Sequence, residues 1–189
     1  MKSHHIGVLA LTLVFLVGGL LSYTFVQNGY FPVASINGNL VSQRTVKENA
    51  DVSRRLYNQG LVGSSKEMDD LFKKSSEKEL IKNSLEGLII NQIVKSSATS
   101  EQVKKAEKEV AITFDYKAEA NLSTVLKTVY KWDADKFKER ILEPQALLQV
   151  VSQEKGADFD NWLKSAKLKA NVKVWFSPYK WEKGELKVK

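Results

Sequence analysis

Apolar and polar positions divide the chain at residue 26. Ile6 to Val26, IGVLALTLVFLVGGLLSYTFV, runs for 21 residues without a charge. As a helix it spans about 30 Å, the thickness of a bilayer's hydrocarbon core. Beyond it the apolar positions shorten into amphipathic segments. Val33-Ala34-Ser35-Ile36 is a β-type run, Asn37-Gly38-Asn39 carries the strongest short turn signal, and Leu40-Val41 resumes the run. Ser42 is placed to N-cap a helix reaching about Gln59. Val46, Ala50, Ser53, Leu56 and Tyr57 share one face of that helix, and Gly60 stops it.

The period of a helix continues. Ser64 and Glu67 have capping-box spacing, and a long helical pattern runs from about Lys66 to Ser97. Its apolar stripe is Met68, Leu71, Phe72, Ile81, Leu85, Leu88, Ile89 and Ile93, with the polar stretch Ser75-Ser76-Glu77-Lys78 as a kink or break. Thr99 or Ser100 caps a charged helix to about Val110, turning Val103, Ala106 and Val110 inward. Asp115 caps the next, Tyr116 to Tyr130, with Leu122, Val125, Leu126 and Val129 inward. Asp133 opens another with Phe137, Ile141 and Leu142; Pro144 kinks it or restarts it, and Gly156 ends it. Asp158 caps a last helix carrying Phe159, Trp162, Leu163 and Ala166. Val172 to Phe176 is the second β segment, and residues 177–189 read as a loosely ordered basic tail.

The expected fold is therefore mainly α: an N-terminal transmembrane helix, then a helical domain closed by pairing of its N- and C-terminal strands, since a lone strand is unstable. The division is residues 1–5 as a cytoplasmic tail, 6–26 as the anchor, 27–176 as the domain and 177–189 as the tail. Lys2 precedes the apolar run, and no charge follows it before Arg44. The positive-inside rule then keeps the N-terminus cytoplasmic and sends the domain outward, to a periplasmic or extracellular location. A cleaved signal peptide fits less well, because the run exceeds the usual 7–15 apolar residues and Leu21 to Val26 has no A-x-A pattern.

The domain beyond the anchor holds 28 of the 29 Lys and Arg residues and all 22 Asp and Glu, a net charge of +6. That balance suits an anionic membrane surface, an acidic wall polymer bound through Lys180, Lys183, Lys187 and Lys189, or acidic polypeptides. Nucleic acid is a poor partner for an outward-facing domain. The chain has no cysteine, and its only histidines are His4 and His5, ahead of the anchor. The domain thus lacks Cys nucleophiles, His bases and most zinc ligands. No GxSxG, SxxK, phosphate-binding glycine loop or calcium loop occurs. The residues point away from an enzyme, with no catalytic residue, metal or cofactor expected.

Several segments, in order, resemble the N-terminal chaperone domain of the SurA, PpiD and PrsA type of extracytoplasmic folding factors. The opening Val33-Ala34-Ser35-Ile36-Asn37-Gly38-Asn39-Leu40-Val41-Ser42, the helix ending Leu88-Ile89-Ile90-Asn91-Gln92-Ile93-Val94, and the helix start Thr99-Ser100-Glu101-Gln102-Val103 carry the likeness. So do Asp133-Ala134-Asp135-Lys136-Phe137 and the closing run from Trp162 to Val174; together they span residues 33–176. Longer members of that group insert a parvulin-type prolyl isomerase domain before the closing helix. Here Val150-Val151-Ser152-Gln153 meets Asp158-Phe159 across a few residues, which leaves no room for one. The resemblance implies a membrane-anchored domain that binds unfolded or exported polypeptides without isomerase activity. Tyr57, Met68, Phe72, Tyr130 and Trp132 are the candidate peptide-binding residues, being large and near helix ends or loops. A structural or docking subunit of a cell-envelope membrane complex is the alternative.

A charge at the middle of the anchor tests its role. Leu16→Arg should reduce membrane insertion, since an arginine at a helix centre costs about 2.5–3.5 kcal/mol on insertion scales. Mass spectrometry of the mature chain should find the N-terminus ahead of the apolar run; one near residues 23–30 would show cleavage instead.

Overall fold

The structure, a computed structural model, describes residues 25–59, 76–114 and 120–189. The expected anchor lies outside these residues up to Thr24, as do Met68, Phe72, the Ser64–Glu67 capping box and Asp115. Among the described residues, no helix is long and apolar enough to cross a membrane.

Strand β1 (Pro32–Ile36) turns into β2 (Asn39–Ser42) through Asn37 and Gly38, both at positive φ (50° and 90°). Two consecutive positive-φ residues make the primed turn whose twist matches a β-hairpin. β1 is central in a three-stranded antiparallel sheet ordered β2-β1-β3, where β3 is Val172–Val174. Ala34 pairs with Val174, Ser35 with Lys173 and Ile36 with Val172, so the two ends of the domain close on each other as the sequence anticipates. Asn37 fastens this closure. Its backbone N–H donates to the Asn171 carbonyl, its side-chain oxygen accepts from the Asn171 N–H, and its Nδ2 donates to Ser96 Oγ at 2.7 Å.

The helices start where polar caps stand. Ser42 caps α1 (Gln43–Asn58) through Thr45 N–H. Ser76 and Glu79 form a capping box at the head of α2 (Glu77–Ser97), so a helix begins within the polar stretch expected as a kink or break. Thr99 and Gln102 form another at α3 (Ser100–Thr113), three residues longer than the expected end at Val110. A short helix α4 (Ala120–Val125) runs into a π-helical turn, Leu126–Tyr130. Asp133 caps α5 (Ala134–Phe137), which continues through a second π-helical turn, Lys138–Leu142, into α6 (Glu143–Lys155). Pro144 explains that turn. It has no N–H, and its ring would clash with the carbonyl four residues back; the widened turn, with Glu143 N–H bonded to the Lys138 carbonyl, accommodates both. A single 3₁₀ turn, Gly156–Asp158, joins α6 to α7 (Phe159–Lys169). Asp158 makes no side-chain cap there, contrary to expectation, because the turn already continues into the helix.

The region 177–189 corrects the sequence reading most. It is a β-hairpin, β4 (Tyr179–Glu182) and β5 (Glu185–Val188), turned at Lys183 and Gly184 with φ of 54° and 82°. Tyr179 and Leu186 are buried in the same core as Ile36, Leu85, Ile89 and Ile93, and Tyr179 donates its hydroxyl to the Lys78 carbonyl. The alternation that buries them is the strand period of two, disguised by lysines on the other face. At the end of the second β segment Trp175 is half-buried and Phe176 is 83 % exposed. A second core joins α2, α3, α6 and α7 around Val94, Ala106, Leu147, Val150 and Val151. A third holds Val52, Leu126, Trp132 and Phe137.

Deleting residues 178–189 should therefore lower thermal stability of the whole domain. Ile36→Ala should destabilise by about 2–5 kcal/mol in denaturant unfolding, since its side chain is fully buried where all three strands meet α2. A loss below about 1 kcal/mol would mean that the sheet does not close the domain.

Candidate functional site

Helix α2 carries an unusual face. Asn83, Ser84, Gly87, Leu88 and Asn91 follow helical spacing, and none is charged, although Lys82 precedes them and Glu86 lies between them. Asn and Gly are weak helix formers, so their place in mid-helix calls for a reason other than propensity. The structure supplies one. This face, with α1 opposite and the π-helical turns beside it, borders a cleft of about 360 Å³. Asn49, Asn83, Asn91 and Gln145 present carboxamides to it, and Val52, Leu56, Leu80 and Ile141 give apolar wall. A second hollow of about 210 Å³, between α2, α3 and the head of α6, shares Leu88, Asn91 and Arg140 with the first. Lys95, Glu107, Glu139 and Glu143 line this second hollow.

Two polar atoms of these walls are buried without a hydrogen-bond partner: Asn49 Oδ1 and Arg140 Nε. Glu139 Oε1 lies 3.6 Å from Arg140 Nε, close enough for charge attraction but too far for a hydrogen bond. One is an acceptor and the other a donor. Leaving such a group unsatisfied costs about 1–3 kcal/mol, a cost the fold itself carries at this wall.

The aromatic side of the cleft is held by a chain of contacts. Arg55 on α1 donates to the carbonyls of Val129 and Tyr130, which end the first π-helical turn. A cation there satisfies carbonyls the helix cannot. The chain then passes through Lys131 in the left-handed region to Trp132. The Tyr130 and Trp132 rings lie 5.7 Å apart, Tyr130 meets Phe137 edge-on at 4.7 Å, and Lys136 Nζ sits 5.4 Å from the Trp132 ring centre. Lys136 also bonds Glu48 at 2.8 Å, and Arg44 bonds the same carboxylate at 2.9 Å. Burial pushes the Tyr130 phenol up from its ordinary value.

Of the five residues proposed from sequence, the structure brings Tyr130 and Trp132 together on the cleft wall. Trp132 is only 6 % exposed, so it serves the core as well. Tyr57 is half-buried on α1, beside Leu56 but not among the cleft-lining residues. Met68 and Phe72 fall outside the described residues. Sequence reasoning missed Asn49, Asn91, Arg140 and Gly87; the charge-free face of α2 was the available signal. Among the described residues no group of three or more His, Cys, Asp or Glu could hold a metal ion. No family model, curated protein or solved structure matches the chain.

Glu48 links α1 to α5 beneath Trp132 and gives the site a pH dependence. Burial raises its carboxyl pKa, but hydrogen bonds from Lys136 and Arg44 outweigh that and set it below the ordinary value. A lowered folded-state pKa adds stability above the unfolded carboxylate pKa of about 4.3 and loses it as pH falls through the folded value. Glu48→Gln should cost about 1 kcal/mol or less at pH 7, because the pair is partly exposed. The difference from wild type should shrink in unfolding curves taken below about pH 4.

Proposed function

We propose that this chain is a membrane-anchored, outward-facing holding chaperone, tethered through residues 6–26, that binds unfolded or exported polypeptide in the cleft between α1, α2 and the π-helical turns. The observation that carries the reading is the cleft's chemistry: carboxamides beside apolar wall, with Asn49 Oδ1 and Arg140 Nε buried and unpartnered. A carboxamide donates and accepts at once, as a peptide group does. A wall of them recognises backbone without reading client side chains, while Leu56, Leu80, Ile141 and Tyr130 offer apolar contact to whatever residues follow. Such a site is permissive, and its affinity is expected in the micromolar range, about −8 kcal/mol. The net charge of +6 beyond the anchor favours capture of acidic segments. The resemblance to the SurA, PpiD and PrsA type supports the same reading. So does the direct passage from α6 through one 3₁₀ turn to α7, where an isomerase domain would otherwise enter. The reading excludes isomerase catalysis and needs no cofactor.

Gly87 allows a test that leaves the core alone. It lines the cleft, and a Cβ built on it meets nothing within 4 Å. Gly87→Ala should raise stability by about 0.5–1 kcal/mol through helix propensity. Gly87→Trp should fill the cleft, keep the melting temperature, and weaken suppression of client aggregation by the full chain about tenfold or more, roughly 1.4 kcal/mol. Undiminished suppression by Gly87→Trp would remove the cleft from the mechanism. Stoichiometric binding to one folded envelope protein, with no affinity for unfolded chains, would favour the docking-subunit reading.

A further inference from the structure

The cleft does not use the aromatic residues gathered where the chain leaves residue 24. Phe25 to Gln27 form a helical turn, and the Phe25 ring lies 5.6 Å from Tyr30. Phe31, next in sequence, meets Phe176 edge-on at 6.0 Å. Phe25, Val26, Tyr30 and Phe176 are all exposed, Phe176 most of all. Burial does not explain this, and neither does backbone preference. Phe176 has φ of +47°, a region that a bulky L-residue seldom adopts, and that geometry turns the chain out of β3 with the ring facing solvent. Cations border the cluster: Arg44 lies 5.0 Å from the Tyr30 ring centre and donates to its hydroxyl, and Lys189 donates to the Ser177 carbonyl.

Resting on the reading of residues 6–26 as a membrane anchor, we infer that Phe25, Tyr30, Phe31 and Phe176 form an interfacial foot that seats the domain on the lipid surface. Three observations select lipid as the occupant. The cluster begins at the last two residues of the anchor, so the bilayer surface is the first thing it can meet. Aromatic side chains are the residues that settle at headgroup depth, because one part is apolar while the setting stays wet. Lysine and arginine beside them suit anionic headgroups. The foot also has a stiff connection to the domain. Phe31 lies against the first core, and Trp175 N–H, one residue before Phe176, donates to the Val33 carbonyl at 2.8 Å. Seating the foot therefore orients the sheet, and with it the domain, instead of leaving the domain to swing on a tether.

The absence of cysteine makes the test direct. The full chain carrying Phe176→Cys, or Ile112→Cys as a reference, is labelled with bimane and reconstituted in vesicles of phosphatidylcholine and phosphatidylglycerol. Ile112 is a suitable reference because it is exposed at the far end of α3, beside Phe114 of the third core. A lipid nitroxide near the headgroup should quench the label at 176 about twofold or more over that at 112. Equal quenching at both positions, with the protein still resistant to alkaline extraction, would overturn the foot and leave the anchor standing. Alkaline release of the protein would overturn both. Cross-linking of 176 to 176 between copies, without lipid quenching, would assign the cluster to self-association and overturn the lipid surface.

Discussion

The central strand Pro32–Ile36 needs hydrogen-bond partners along both edges, and the nearby chain supplies only one. β2 takes the first edge through a two-residue turn. The second edge waits for Val172–Val174, which arrives after every helix has been laid down. A strand with Ala34 and Ile36 fully buried cannot leave that edge open, because unpaired buried backbone groups are among the costlier defects in a fold. The helices between are thus held within a closed circuit, and Asn37 holds the point where turn, returning strand and the end of α2 meet. The same demand draws in the C-terminal hairpin, whose Tyr179 and Leu186 complete the core on which the sheet rests.

Against that closed region the cleft is built from irregular structure. Each π-helical turn holds one residue more than an α-turn, is rare, and is frequently found at functional sites. Here one delivers Tyr130 to the wall and the other carries Arg140 and Ile141. Buried polar atoms without partners and mid-helix Asn and Gly are further departures from what stability alone would select. They collect in one place, while the sheet and the α3–α6 contact show no such departures. At that contact Gln102 is buried, yet it accepts from Thr99 N–H and donates to Glu154. Local conflict concentrated on one surface is the pattern expected when recognition competes with folding.

Much of the scaffold was legible because its signals are local. Asn37-Gly38 specifies a primed turn, and Ser42, Thr99 and Asp133 cap the helices they precede. Where the sequence misled, the cause was a competing local reading. The hairpin at the C-terminus carries lysines at 180, 183, 187 and 189, and that charge hid the alternation of Tyr179, Trp181, Leu186 and Val188. Its turn is Lys183-Gly184, with two successive positive φ values as at Asn37-Gly38 but without the asparagine that announces them. Pro144 signalled a kink or a new start, and α6 does start beside it; the widened turn before it is what no single residue type encodes. The site was half legible. Tyr130 and Trp132 stand out as large residues at a helix end, whereas Asn49 and Arg140 matter only through which atoms the fold leaves without partners.

That difference bears on how the cleft could recognise a chain. Trp132 is stacked near Tyr130, covered by Lys136, and tied through Glu48 to α1. It has little surface left to give to a ligand, and its removal would disturb the third core before it altered binding. The aromatic wall is therefore chiefly a support, and under the proposed reading recognition would fall to the polar groups of the wall, the carboxamides of α1 and α2 and the guanidinium of Arg140. Those groups read polar atoms, which every polypeptide repeats at each residue. A site whose specificity rests on them discriminates between unfolded and folded chains, because only the former present unpaired peptide groups, and discriminates little among sequences.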